Sequence, residues 1–189
     1  GKLRILIDPW ITGNLAFPPG PWLIEGRLKK EIDVPGQIDL ILLTQGLADH
    51  THQPPLRSLS KSIPVFGSLS ASKVAQALKF ESVSGLNPGE IKEFRDIQIE
   101  ATSGAPVPQI ENGYILSHNC GTLYIEPHGF LDEKISNRMI DAVITPVFNL
   151  KLPIVGNFIK GKEILPDILK RFSPLTILAS TTGGDATFT

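Results

Sequence analysis

Asp39-Leu40-Ile41-Leu42-Leu43-Thr44-Gln45-Gly46-Leu47-Ala48-Asp49-His50-Thr51-His52 is the stretch whose reading decides the fold. Leu40 to Leu43 is a short run, apolar on both faces and closed by Thr44 and Gly46, the pattern of a central strand covered on both sides. The turn that follows delivers Asp49 and His50 side by side at the strand's carboxyl edge. In layered α/β folds, loops leave the sheet at that edge and present polar groups from a rigid scaffold, so ligands bind there.

Upstream, Leu3 to Ile7 predicts a strand that ends at Asp8-Pro9-Trp10, because proline cannot continue a ladder. Residues 13 to 37 hold four glycines and four prolines and read as one long loop, a lid or binding loop, with Trp10, Phe17 and Trp22 pinning it to the core. Downstream, Pro54-Pro55 starts a short helix through Leu59, and Ile63 to Phe66 is a strand. Ser68 caps a helix over Leu69 to Lys79, which carries Leu69, Val74, Ala77 and Leu78 at helical spacing. Short strands are expected over Phe80 to Val83 and Glu90 to Phe94, on either side of the turn Asn87-Pro88-Gly89. Ile97 to Ala101 alternates as a half-exposed strand does. Tyr114 to Leu116 and Thr122 to Ile125 form a hairpin around Asn119-Cys120-Gly121. Leu131 to Met139 reads as a helix with Asp132 and Glu133 at its start. Asp141 to Thr145 is a buried strand, Glu163 to Phe172 a helix, and Leu175 to Ala179 a last strand. Between them, Pro146 to Ile159 reads as a loop with eight apolar residues in fourteen. If exposed, it would be a patch for self-association or a protein partner.

The chain has 189 residues, enough for one domain with a core that needs no disulfide. A net charge of −1 and no basic run longer than Lys29-Lys30 leave no electrostatic footprint for nucleic acid. The single cysteine, Cys120, excludes an internal disulfide and a cysteine-rich zinc site. No apolar run approaches the ~20 residues that span a bilayer. The expectation is a soluble, intracellular chain, cytoplasmic or plastid if a targeting segment has been removed.

Thr44 to His50 resembles the metal-binding loop of the metallo-β-lactamase-fold hydrolases, a strand ending in Thr followed by His-x-His-x-Asp-His. Asp49 and His50 match the second half of that motif; Gln45 and Leu47 stand where the two leading histidines would be. Leucine cannot ligate a metal and an amide oxygen is a poor zinc ligand, so the first of the family's two metal sites is not expected here. Thr102-Ser103-Gly104 lacks the family's third histidine. Tyr124-Ile125-Glu126-Pro127-His128 stands where the family has Tyr-x-x-Gly-Asp, which puts His128 at the position of the metal-bridging aspartate. Ser180-Thr181-Thr182-Gly183 offers hydroxyls in place of the final histidine. The order of Gln-Gly-Leu-x-Asp-His, Glu-Pro-His-Gly and Thr-Gly-Gly-Asp is similar to a cyanobacterial and plant branch of the superfamily.

The resemblance implies a single four-layer αββα sandwich domain over residues 1–189, expected to be shortened at the N-terminal strands and at the C-terminus, with a degenerate site. Asp49, His50 and His128 would be the remaining ligands, a set acceptable to zinc, iron or manganese. The metal would bring the pKa of water towards ~7 for attack on an ester, amide or phosphoester. Asp8 would orient a ligand histidine, and Asp185 or Glu126 would serve as general base. Asp49 and His50 equally suit a purely structural hydrogen-bonded pair. The same residues are compatible with a metal-free module that holds a small anion on Thr181, Thr182, Gly183 and Gly184, or with an assembly role. His52 and His118 are expected at the surface.

Overall fold

The computed structural model describes residues 3–16, 25–34, 36–105, 111–152, 156–180 and 186–188. They separate into two compact units, one running through Leu86 and rejoined by residues 186–188, the other running from Asn87 to residue 180.

The first unit contains β1 (Ile5–Ile7), β2 (Leu15–Ala16), β3 (Glu25–Leu28), β4 (Leu40–Leu43), α1 (Gln53–Ser58), β5 (Val65–Ser68), α2 (Leu69–Ala77) and β6 (Val83–Leu86). Strands β1-β4-β5-β6 form a parallel sheet in that order. All four residues of β4 are fully buried, as its unbroken apolar run requires, and each such side chain contributes roughly 2 kcal/mol by leaving water. Ile41 and Leu43 join Leu56, Leu59, Val65, Ala71, Ala75, Leu78 and Phe80 in one core. The Ser68 hydroxyl caps α2 by accepting the Ala71 N–H at 3.2 Å, as expected from sequence. Two expectations are corrected here. The strand placed over Phe80 to Val83 lies at Val83–Leu86. Residues 13 to 37 are not one irregular loop, because β2 and β3 pair antiparallel within them; Phe17 and Trp22 lie outside the described residues.

The second unit contains β7 (Ile91–Phe94), β8 (Ile97–Ser103), β9 (Asn112–His118), β10 (Gly121–Ile125), β11 (Ala142–Pro146), β12 (Asn149–Leu152), β13 (Gly156–Lys160), α3 (Gly161–Phe172) and β14 (Thr176–Ser180). Its six-stranded sheet has the order β14-β11-β10-β9-β8-β7, antiparallel from β7 to β10 and parallel from β10 through β11 to β14. Ile115, Tyr124, Val143, Ile168 and Phe172 lie at the centre of its core, with Tyr124 and Phe172 edge to face at 5.4 Å. In the first unit, β15 (Ala186–Phe188) pairs antiparallel with β3.

Two more expectations fail in the second unit. Leu131 to Met139 is not a helix. Asp132 accepts the Ser103 N–H at 2.8 Å and the Lys134 N–H at 2.9 Å, so a short polar side chain competes with the helical ladder for backbone donors. Pro146 to Ile159 is not a loop, since β12 and β13 form an antiparallel hairpin within it. Its apolar residues are divided: Ile159 is buried and Leu150 exposed.

Candidate metal centre

In the first unit the site grows from the carboxyl ends of β1 and β4. Asp8 follows β1 with φ of +40°, a conformation that aspartate adopts more readily than most residues. Its N–H bonds the Leu42 carbonyl at 3.2 Å, holding the turn against β4. The carboxylate then faces the start of the central loop. Oδ1 accepts the Thr44 N–H at 2.8 Å, and Oδ2 accepts the Thr44 hydroxyl at 2.5 Å. The same Oδ2 lies 2.8 Å from Nδ1 of His50. A carboxylate only accepts, so the ring proton belongs on Nδ1.

The loop is wound by Leu47, whose carbonyl accepts the N–H groups of His50 (3.0 Å) and Thr51 (2.8 Å) and the Thr51 hydroxyl at 2.8 Å. This brings Nε2 of His50 to 3.3 Å from Oδ2 of Asp49. Burial pushes the His50 pKa down, but the charges and hydrogen bonds of Asp8 and Asp49 more than reverse this and hold it well above 6.5. Gln45 is fully buried, and the Gly46 N–H bonds Ser70 Oγ at 3.0 Å. His52 is buried rather than at the surface: Trp10 meets it edge-on at 6.4 Å, and burial lowers its pKa against hydrogen bonds to the backbone of Thr12 and Ala48.

The chemistry of the first-unit donors fits a metal. One nitrogen of His50 is committed to a carboxylate, its other nitrogen sits beside a second carboxylate, and a carboxylate behind a histidine is the usual companion of metal ligation.

In the second unit, Glu126 follows β10 and is fully buried. Oε1 accepts the His128 N–H at 2.9 Å, and Oε2 accepts the Gly129 N–H at 2.5 Å and the Thr145 hydroxyl at 3.3 Å. Both oxygens are thus engaged in shaping the turn that carries His128. Burial pushes the Glu126 pKa up to about 7, against the lowering effect of its backbone donors. His128 is buried, and its Nδ1 is in ion-pair contact with the buried carboxylate of Glu111. Sequence reasoning missed Glu111, a lone acid before an apolar strand with no motif to mark it. His118 is partly exposed and 3.0 Å from Asp96; Cys120 is exposed and free. Thr181, Thr182, Gly183 and Asp185 lie outside the described residues.

The chain belongs to the beta-lactamase superfamily: the family model described as "Beta-lactamase superfamily domain" matches residues 1–179. Its fold is the metallo-β-lactamase fold. Among relatives, it is 26% identical over 190 residues to the UPF0173 metal-dependent hydrolase of Thermoplasma volcanium, covering 94% of this chain and 75% of that one. It is 38% identical over 64 residues to the cytidine monophosphate-N-acetylneuraminic acid hydroxylase of Danio rerio, covering 34% of this chain and only 11% of the hydroxylase. The isothiocyanate hydrolase from Delia radicum gut bacteria superposes with a TM-score of 0.70 at 19% identity, over 93% of this chain and 77% of that one. Among the described residues, no helix is long and apolar enough to cross a membrane.

Proposed function

We propose that this chain is a divergent metal-dependent hydrolase with a reduced site of at most one metal, held by Asp49, His50 and His128. The observation that carries the reading is the commitment of His50 Nδ1 to Asp8, with Nε2 beside the Asp49 carboxylate. His128 joins the set through its place in the sequence, at the position of the family's bridging ligand, and its Nδ1 is likewise turned to a carboxylate. Zinc, iron and manganese all accept two imidazoles with one carboxylate. When bound, such an ion supplies Lewis acidity and lowers the pKa of water towards ~7. The substrate class is an ester, amide or phosphoester, with Asp185 as the proposed proton acceptor and Asp49 serving catalysis as a ligand of the metal. Glu126 is better suited to holding the turn, because its oxygens are occupied by backbone N–H groups and a hydroxyl.

Metal content per chain, measured by plasma mass spectrometry on protein purified without chelator or metal-affinity tag, tests this. About one equivalent in the wild type, lost in His128→Ala and Asp49→Ala, is the expected result and would justify a hydrolase screen. No metal in any of the three after reconstitution with zinc, iron and manganese would sink the reading.

A second reading draws on the same geometry. Carboxylates on both sides of His50, with its raised pKa, also suit an imidazolium held between Asp8 and Asp49 without metal. The protein would then be a pseudoenzyme that binds a small anion or a protein partner. A metal-free wild type whose melting temperature rises with a small anionic ligand would favour it.

A further inference from the structure

We propose that Glu111 decides which nitrogen of His128 is presented for coordination, and that Gly104 is the opening in the backbone that lets it do so. This rests on the ligand role assigned above to His128. Glu111 precedes β9 and is 3% exposed. One carboxylate oxygen touches His128 Nδ1, and Oε1 accepts the Ala105 N–H at 2.9 Å. The Glu111 carbonyl accepts the Gly104 N–H at 3.0 Å. A Cβ on Gly104 would lie 2.5 Å from Glu111 Oε1, 2.6 Å from its Cγ and 2.9 Å from its Cβ. The Glu111 side chain therefore runs across residue 104 at a distance only glycine permits, and any other residue there would push the carboxylate off its course.

His128 is held from the other side through its main chain. Its N–H is taken by Glu126 Oε1 at 2.9 Å, and its carbonyl accepts the Lys160 N–H at 3.1 Å. With the backbone anchored, the remaining freedom is that of the ring and its proton. A carboxylate at Nδ1 stabilises the tautomer protonated there and leaves the lone pair on Nε2. It also makes that lone pair more basic, and loss of such a partner commonly weakens metal binding 10- to 100-fold. Glu111 would be a positioning residue that need not touch metal or substrate.

The test uses the metal-free full chain labelled with 15N-histidine, whose four histidines are sorted by long-range 1H–15N correlations and a His128→Ala spectrum. At a pH above which its ring 15N shifts no longer change, His128 is expected as the Nδ1–H tautomer in the wild type. In Glu111→Ala it should shift to Nε2–H or to a mixture. Glu111→Gln, whose amide oxygen can still accept from Nδ1–H, should keep the wild-type tautomer. Zinc affinity of the same samples, by competition with a chromophoric chelator, should fall 10- to 100-fold in Glu111→Ala. An Nε2–H tautomer in the wild type overturns the inference without any variant having to fold, and so does a tautomer indifferent to Glu111→Ala. Failure of the metal reading has a different signature: no zinc bound by the wild type, while the tautomer still follows Glu111, removes the metal and supports the positioning.

Discussion

Asp8 and His50 stand 42 residues apart in the chain and meet at 2.8 Å, Oδ2 to Nδ1. The same carboxylate takes the Thr44 N–H and hydroxyl, so one side chain ties the end of β1, the end of β4 and the ring together. Asp8 occupies a positive-φ conformation that costs about 1 kcal/mol or more and persists only where surrounding bonds enforce it. Three contacts converging on one carboxylate provide that enforcement.

Asp8→Asn separates charge from shape. Asparagine tolerates the backbone conformation and keeps one accepting oxygen, but it removes the anion behind His50. Zinc affinity is expected to fall 10- to 100-fold, with a melting temperature lowered by several degrees. Chelator competition and thermal unfolding on the same preparation measure both. A folded variant with undiminished zinc affinity would remove the orienting role of Asp8.

The reach of the sequence depended on whether a residue's neighbours were local. The buried run of β4 and the cap of α2 were legible because periodicity and capping are properties of adjacent residues. Asp8 could be suspected, since Asp-Pro after a strand leaves a carboxylate at a sheet edge. Glu111 could not, because its partner His128 and its cradle Gly104 belong to different loops and no spacing rule joins them. The helix expected over Leu131 to Met139 failed for a related reason: the Ser103 N–H, 29 residues away, captures Asp132. The surface position expected for His52 fails because its cover, Trp10, lies far back in the sequence, just past the end of β1.

Glu126 predicts a pH dependence. Its pKa is raised to about 7, from 4.5, so between those values the folded state holds a proton that the unfolded state has released. Stability from this group therefore falls as pH rises through the window, by on the order of 3 kcal/mol in full. His50, with its raised pKa, acts in the same direction: its contribution is complete below 6.5 and drains away as pH rises from there through its raised folded value. The Glu126 share is isolated by comparing wild type with Glu126→Gln in urea unfolding from pH 5 to 8. The gap between their midpoints should shift across the window in the sense that the wild type loses ground. Parallel curves would show that the buried carboxyl does not titrate there.

Asp132 has the opposite sign. Burial raises its pKa, but the backbone N–H groups of Lys134 and Ser103, the Ser103 hydroxyl and the Lys134 charge outweigh that, and it ends below 3.8. The resulting stability is present above 3.8 and disappears as pH falls through the folded value. Asp132→Asn should lower stability at pH 7 by about 1–2 kcal/mol and by less at pH 3. Acid titration of the unfolding midpoint checks this, and an equal loss at both pH values would assign the effect to shape alone.

Gly129 tests how the turn carrying His128 is held. Its φ is +72°, and a Cβ there would lie 2.5 Å from the Gly161 nitrogen and 2.6 Å from the Lys160 carbonyl carbon. Gly161 has no space to yield, since its own Cβ would come within 2.2 Å of the Pro146 carbonyl oxygen, and its N–H is bonded to Phe148 at 3.0 Å. Three backbone segments therefore meet without an intervening side chain. Gly129→Ala adds strain at a left-handed residue to a clash with backbone, and should cost about 3 kcal/mol or more. Gly36→Ala, where among the described residues no heavy atom beyond Gly36 and its chain neighbours lies within 4 Å of the added carbon, should stay within about 0.5 kcal/mol of wild type. Urea unfolding of both variants makes the comparison, and equal costs would mean that the backbone contact at residues 129 and 161 does not hold the turn.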